Sequence, residues 1–268
     1  MTGCSSGIGR ATVTRLLAAG HTVYASARAV ESLADLARAG AHTLQLDVTD
    51  EESMRRAVSQ VEDAHGRVGV LVNNAGYGAY GPVERVPLDD VRRQFETNLF
   101  GLGRMCQLVL PAMRAAGAGR IVNVGSMGGR MTFPTGGWYH ASKYAVEALS
   151  DALRVEVAPF GVRVVLVEPG LIRTGFGAIA THGLAQVAET DPYRALCTAS
   201  DDVTTRGYRS PFAAGPGSVA RVIERAVSAS RPRPRYLVTP AARALVQVRR
   251  LGGDRVWDLA MRITYRKR

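Results

Sequence analysis

Short apolar runs alternate along this chain with longer stretches of helical period. His21–Arg28 (HTVYASAR) and Thr43–Val48 (TLQLDV) alternate as strands do, Val68–Val72 is a continuous apolar run, and Ile121–Val124, Val162–Val167 and Arg235–Val238 extend the series. Helical patterns lie between them: Ile8–Ala19 ended by Gly20, Val30–Ala39, Glu51–His65, Leu88–Ala116, Ala141–Ala158 and Ser218–Ser230. Glu51–His65 opens with acidic residues, which suit the positive end of a helix dipole. In Leu88–Ala116 the residues Phe95, Leu99, Leu102, Cys106, Val109 and Met113 recur at steps of four and three. That stripe is one helical face, read as packed on a sheet, with a subunit contact as the sharper alternative. Leu171–Pro216 breaks the rhythm as a loop-rich stretch, and a basic amphipathic tail over 240–268 closes the chain. Strand–helix alternation predicts an α/β domain over 1–268, built on a doubly wound parallel sheet with helices on both faces. Ligands of such sheets bind beyond the carboxyl ends of the strands.

Composition sharpens this reading in three ways. The chain has 268 residues, 46% of them hydrophobic, enough for one large core. It holds no apolar run of about 18 residues, so a membrane-spanning helix is not expected. The beginning lacks the basic and apolar regions of a signal peptide. Cys4, Cys106 and Cys197 lie far apart and predict neither a disulfide framework nor a metal cluster, which fits a reducing cytoplasm. The histidines show no ligand spacing, and no metal is expected. The net charge of +11 is uneven: from Asp201 onward 15 Lys/Arg face 5 Asp/Glu. A solvated basic face is the plainer account, and with no nucleic-acid motif such a partner is not expected. Leu245, Val248, Leu251 and Val256 form an interrupted apolar stripe among the arginines of the tail. That stripe reads first as a helix closing a cleft or meeting a partner subunit, and second as a peripheral membrane contact. Of 34 basic residues only Lys143 and Lys267 are lysine, and asparagine occurs only at 73, 74, 98 and 123. Each of these therefore stands out.

Several of them coincide with chemistry. Gly3, Gly7 and Gly9 form T-G-x-x-x-G-I-G ahead of a helix. Glycines permit a tight turn and close approach to phosphate, and the helix N-terminus adds free N–H groups and positive potential. A bare glycine turn is the alternative. Tyr139 and Lys143 are four apart and share a helical face. A phenol near pKa 10 is a poor acid–base catalyst until a neighbouring ammonium favours its anion. Chance pairing is the alternative, weakened because arginine would serve a solvated face equally well. Ser126 ends the strand IVNVGS, where a hydroxyl can bond a carbonyl oxygen. Asn98 lies mid-helix, and Asn73-Asn74 end a strand, where a turn or cap is the alternative use.

Taken together, Thr2-Gly3-Cys4-Ser5-Ser6-Gly7-Ile8-Gly9, Asn73-Asn74-Ala75-Gly76, Asn98, Ser126, Tyr139-x-x-x-Lys143 and Pro169-Gly170 resemble the short-chain dehydrogenases/reductases. Order and spacing match that family to about Thr174. TGCSSGIG, GPVE (81–84) and PFGVRV (159–164) look like its hydroxysteroid and retinol dehydrogenase branch. The resemblance implies a Rossmann-type fold and hydride transfer between a nicotinamide and a carbonyl or secondary alcohol. Tyr139 would exchange the proton, Lys143 would bind the nicotinamide ribose and depress the Tyr139 pKa, and Ser126 would polarise the carbonyl. Asn98 would position a water linking Lys143 to solvent. Gly3, Ser5, Ser6, Gly7, Ile8 and Gly9 would hold the pyrophosphate, and Asp47 and Val48 the adenine. Asn73, Ala75 and Gly76 would line the adenosine side, and Pro169, Gly170 and Thr174 would also bind the cofactor, Thr174 bonding it after the Pro169-Gly170 turn. NAD-dependent relatives carry an acidic residue at the end of the second strand. Ala27 stands there, followed by Arg28, which can pair with a 2′-phosphate. NADP(H) is therefore expected, with NAD(H) second.

The family places an apolar strand ahead of the glycine turn, whereas only Met1 stands there. The first strand is thus expected to be missing from this chain, the natural protein starting upstream, with a weakly folded remnant as the other account. Competing readings are a cofactor-binding protein with weak or no turnover and a nucleic-acid or membrane-surface protein resting on the basic tail. The substrate is expected to be apolar, of steroid, polyketide, fatty or terpenoid type, under a lid at 171–216. Phe176, Ile179, Leu184, Tyr193 and Tyr208 would line it, with His140 and His182 as further contacts, and a homo-oligomer is expected.

Overall fold

A computed structural model describes residues 1–265. The last three positions of the expected 240–268 tail lie outside the described residues. Helix α1 (Gly7–Ala18) leads to β1 (Tyr24–Ala27), then a 3-10 turn (Val30–Leu33), α2 (Ala34–Arg38) and β2 (His42–Gln45). Next come α3 (Glu51–His65), β3 (Val70–Asn73), α4 (Leu88–Phe95), a π-helical turn (Glu96–Phe100) and α5 (Gly101–Ala115). Then follow β4 (Gly119–Val124), α6 (Gly137–Val157) and β5 (Val162–Glu168). The chain continues through α7 (Phe176–Thr181), α8 (Arg194–Arg209), α9 (Pro216–Ser228), β6 (Arg235–Leu237) and α10 (Pro240–Thr264). The strands are parallel, and helices pack both faces, as their alternation with strands requires.

Local chemistry explains most boundaries. Asp50 caps α3 by accepting from the N–H groups of Glu52 (2.9 Å) and Ser53 (3.1 Å). The stripe predicted over Leu88–Ala116 is real: Leu102, Cys106, Val109 and Met113 are buried against β3, β4 and β5. The helix is not continuous, however, because the π turn at Glu96–Phe100 widens it around Asn98. The stretch Leu171–Pro216, expected to be loop-rich, holds α7 and the 16-residue α8. Thr, Asp and Gly give α8 (RALCTASDDVTTRGYR) poor intrinsic propensity, and its packing through Cys197 and Ser200 decides the conformation instead.

The sheet is divided. Among the described residues β1 pairs only with β2, while β3, β4, β5 and β6 form a four-stranded sheet in that order. Met1–Cys4 bridges the parts near their carboxyl ends. Thr2 N–H donates to Val72 (3.0 Å), Ser26 N–H to Met1 (3.1 Å) and Cys4 N–H to Ser26 (2.8 Å). Below this bridge the facing edges of β1 and β3 flank a cavity of about 440 Å³, lined by Leu16, Tyr24, Leu44, Val58, Leu71 and Met105 among others. No helix among the described residues is long and apolar enough to cross a membrane.

Candidate active site

A cleft of about 1150 Å³ opens beyond the carboxyl ends of the strands. One end begins at the glycine turn. There Gly9 packs so closely on the Gly3 carbonyl that a Cβ would overlap it, and any side chain would force the turn apart. Ser6 precedes α1 without a side-chain cap, so first-turn N–H groups of a 12-residue helix stay available. Gly3, Ser5, Ser6, Gly7, Ile8, Gly9, Ala27, Arg28, Asp47 and Val48 all line this end. Arg28 is exposed and makes no salt bridge among the described residues, whereas nearby Arg10 is tied to Asp35. Asn74 holds the turn from beneath, its amide donating to Thr2 (3.1 Å) and Gly3 (2.8 Å).

The other end carries Ser126, Tyr139 and Lys143. The loop after β4 presents Ser126, whose Oγ accepts from Gly128 N–H at 3.0 Å. Tyr139 and Lys143 project from the first two turns of α6, both nearly buried. Tyr139 is ringed by Phe176 (5.3 Å between centroids), His140 (5.5 Å) and Tyr80 (5.8 Å). Burial pushes its pKa up to about 12, opposed by a hydrogen bond with Ser126. The depression expected from Lys143 is therefore not delivered: i, i+4 spacing shares a face, but the Lys143 ammonium donates to Val124 O at 3.2 Å. Burial also lowers the Lys143 pKa to about 8, opposed by Glu147.

Asn98 sits behind the cleft rather than in it. Its Nδ2 donates to Tyr77 O (2.9 Å) and Ser142 Oγ (3.1 Å), and its Oδ1 accepts from Tyr77 N–H (3.0 Å). Asn73 corrects the reading more sharply. Its side chain does not reach the adenosine side; it turns into the core and donates to Asn123 Oδ1 at 3.0 Å, tying β3 to β4. Strand alternation sends Asn74 up and Asn73 down. Ala75, Gly76, Pro169, Gly170 and Thr174 do line the cleft. So do Phe176, Ile179, Tyr208 and His140, but Leu184 is buried elsewhere and Tyr193 bonds Glu84 (2.6 Å) at the surface. His182 is exposed beside Gln186. His140 is a packed residue whose Nδ1 meets Gly128 O at 3.0 Å, and burial lowers its pKa to about 4.

Sequence reasoning missed a charged cluster under Lys143. Glu147 and Glu168 are both buried, and Arg235 reaches them at 3.3 and 3.4 Å. Arg130 adds a contact to Glu168 at 3.4 Å, and Arg235 also pairs with Asp151. One oxygen of each carboxyl, Glu147 Oε1 and Glu168 Oε2, lacks a partner among the described residues. Burial, then Glu168, holds the Glu147 carboxyl well above the usual range, so a protonated Glu147 can donate to Glu168. The i, i+4 step from Lys143 to Glu147 was the one available signal.

Comparison with known proteins agrees with this geometry. A family model described as short chain dehydrogenase matches residues 1–183. A 3-ketodihydrosphingosine reductase of Bacteroides thetaiotaomicron is 45% identical over 176 residues, 66% of this chain and 64% of that protein. An NADPH-dependent 3-dehydrocapnine reductase of Ornithobacterium rhinotracheale is 36% identical over 270 residues, covering 96% of this chain and 93% of that one. Among solved structures, a short chain dehydrogenase/reductase of Burkholderia phymatum in complex with NAD superimposes with a TM-score of 0.80. It is 28% identical and covers 94% of this chain and 92% of that one.

Proposed function

The chain belongs to the short-chain dehydrogenase/reductase family, nicotinamide-dependent oxidoreductases of alcohol and carbonyl groups, and from that premise we propose that it reduces an apolar, fatty-type ketone with NADP(H) preferred over NAD(H). The observation that carries this reading is a single cleft with the glycine turn and Arg28 at one end and Ser126, Tyr139 and Lys143 at the other. The overlap a Cβ would cause at Gly9, beside the uncapped α1, fits a phosphate cradle. Gly3 and Ser5–Gly9 would hold the pyrophosphate and Arg28 the 2′-phosphate. Asp47, Val48, Ala75 and Gly76 would hold the adenosine, Tyr139 and Lys143 the nicotinamide ribose, and Pro169, Gly170 and Thr174 the nicotinamide. When bound, the nicotinamide supplies or accepts the hydride.

The residues of the chain do the remaining work. Ser126 and Tyr139 offer two hydroxyls to one carbonyl oxygen and polarise it. A phenol held near pKa 12 keeps its proton at neutral pH, as a donor should. As the substrate oxygen becomes an alkoxide it is more basic than a phenolate, so the Tyr139 proton passes to it. The phenolate left behind is stabilised by its hydrogen bond with Ser126. Tyr80, Phe133, Leu171, Phe176, Ile179 and Tyr208 make the wall apolar. The names of the two reductases above accord with the fatty member of the expected substrate set.

Following the near-ultraviolet absorbance of reduced nicotinamide over a panel of ketones tests this. Long-chain ketones with higher kcat/KM for NADPH are expected, and Ala27→Asp with Arg28→Ala should reverse the cofactor order. A parent with higher kcat/KM for NADH, or activity confined to small polar carbonyls, refutes the reading. The divided sheet favours a second one, a cofactor binder of weak turnover, which NADPH binding without reduction of any panel member would support.

A further inference from the structure

We propose that the outer face of α10 is a docking surface for an anionic lipid bilayer, set at the rim of the active-site cleft. The inner face of α10 is firmly held: Ala242, Val246 and Trp257 pack on Met127, Met131 and Phe133, and Trp257 Nε1 donates to Thr132 O at 3.0 Å. The outer face is apolar where a solvated helix would be polar. Ala244, Val248 and Leu251 follow i, i+4, i+7 before the non-helical Gly253, and Val256, Leu259 and Ile263 follow i, i+3, i+7 after it. Leu251 is 82% exposed, Ile263 64% and Leu259 59%. Isolated exposed apolar residues need no explanation, but six on two stripes of one segment do.

Charge identifies the occupant. Arg243, Arg250, Arg255 and Arg262 are exposed beside the stripes, against Asp254, which pairs with Arg249, and Asp258. Arg266, Lys267 and Arg268 follow in the sequence. A second copy related by a two-fold axis would set arginine against arginine across the same apolar patch. An anionic headgroup layer over an acyl core complements both features at once, basic flanks and apolar stripe. Nucleic acid would answer the arginines and leave the leucines in water. Leu245 and Tyr265 of the same segment line the cleft, so docking would bring the cleft mouth to the bilayer. The supply of a fatty ketone from that bilayer rests on the reading above; the docking itself does not.

The test is sedimentation of the full chain with vesicles, with neither cofactor nor substrate present. Failure of docking and failure of the catalytic reading are thereby read separately. Vesicles of phosphatidylcholine with a third replaced by phosphatidylglycerol should bind the chain at least about tenfold more tightly than phosphatidylcholine alone, and high salt should abolish the difference. Leu251→Asp with Leu259→Asp should lower binding at least about tenfold while leaving Tm and the NADPH affinity unchanged. Arg250→Gln with Arg255→Gln should remove the anionic preference. The proposal is overturned if the parent stays in the supernatant with anionic vesicles, or if the leucine variant binds as the parent does. It is also overturned if equilibrium sedimentation finds a dimer that the leucine variant splits.

Discussion

At the scale of single residues, burial outweighs neighbouring charge. Tyr139 keeps its proton because the aromatic ring around it excludes water, with Ser126 opposing only in part. Tyr139→Phe preserves that packing and deletes the donor, so turnover should fall about a hundred- to ten-thousandfold while NADPH still binds. Steady-state rates beside a fluorescence titration decide this; turnover within about threefold of the parent would sink the assignment. Glu147 follows the same rule with a readout in stability. Burial and the neighbouring Glu168 raise its folded pKa well above the ordinary carboxylate value, so its stabilising contribution is full below the ordinary carboxylate range and is lost progressively as pH rises from that range through the raised pKa. Glu147→Gln mimics the protonated form, its amide able to meet the free oxygen of Glu168. Melting curves of parent and variant should coincide near pH 4 and separate progressively as pH rises above the ordinary carboxylate range, the variant melting higher; a constant offset at all pH would contradict the account. Lys143 was legible in the sequence because lysine is so scarce, whereas Asn73 was misread, since a strand end alone does not say which face its side chain takes. Glu168 and Arg235 lie 21 and 88 positions from Glu147, and no local pattern joins them.

At the scale of elements, α3 and the α5 stripe could be read directly, because a cap and a buried face are written into neighbouring residues. The π turn and α8 could not, because contacts with distant segments impose them. Gly101, which follows the π turn, shows how such contacts reach the site. Its backbone lies so close to Val48, a residue of the cleft wall, that a Cβ would overlap the Val48 carbonyl. Glycine to alanine within a helix ordinarily stabilises by about 1 kcal/mol. Gly101→Ala should do the reverse, destabilising by roughly 1–3 kcal/mol through overpacking. It should also weaken NADPH binding about tenfold by displacing Val48. A higher Tm with unchanged affinity would refute the contact.

At the scale of the whole molecule, parallel order and the position of the cleft followed from strand–helix alternation, and the sheet is divided between β1 and β3. β4 and β5 have ladder partners on both edges, β1 and β3 on one. The cavity between β1 and β3 suits an extended apolar segment of about 5–6 residues. Fusing such a segment ahead of Met1 should raise Tm by several degrees and slow amide exchange in β1 and β3, but not in β4 and β5; unchanged exchange in β1 and β3 would show that the space is closed to a strand. The same division places Arg28 and Asp47 beyond one half-sheet and Ser126, Tyr139 and Lys143 beyond the other. Any dinucleotide lying along the cleft then acts as a further tie between the two half-sheets. Its concentration enters the folding equilibrium directly, adding about 2.7 kcal/mol at a hundredfold excess over Kd. Protease digestion should therefore slow steeply as NADPH is added, with the protected cuts clustering near Met1–Cys4 and β1. In a cell, the lifetime of this protein would register the size of the cofactor pool.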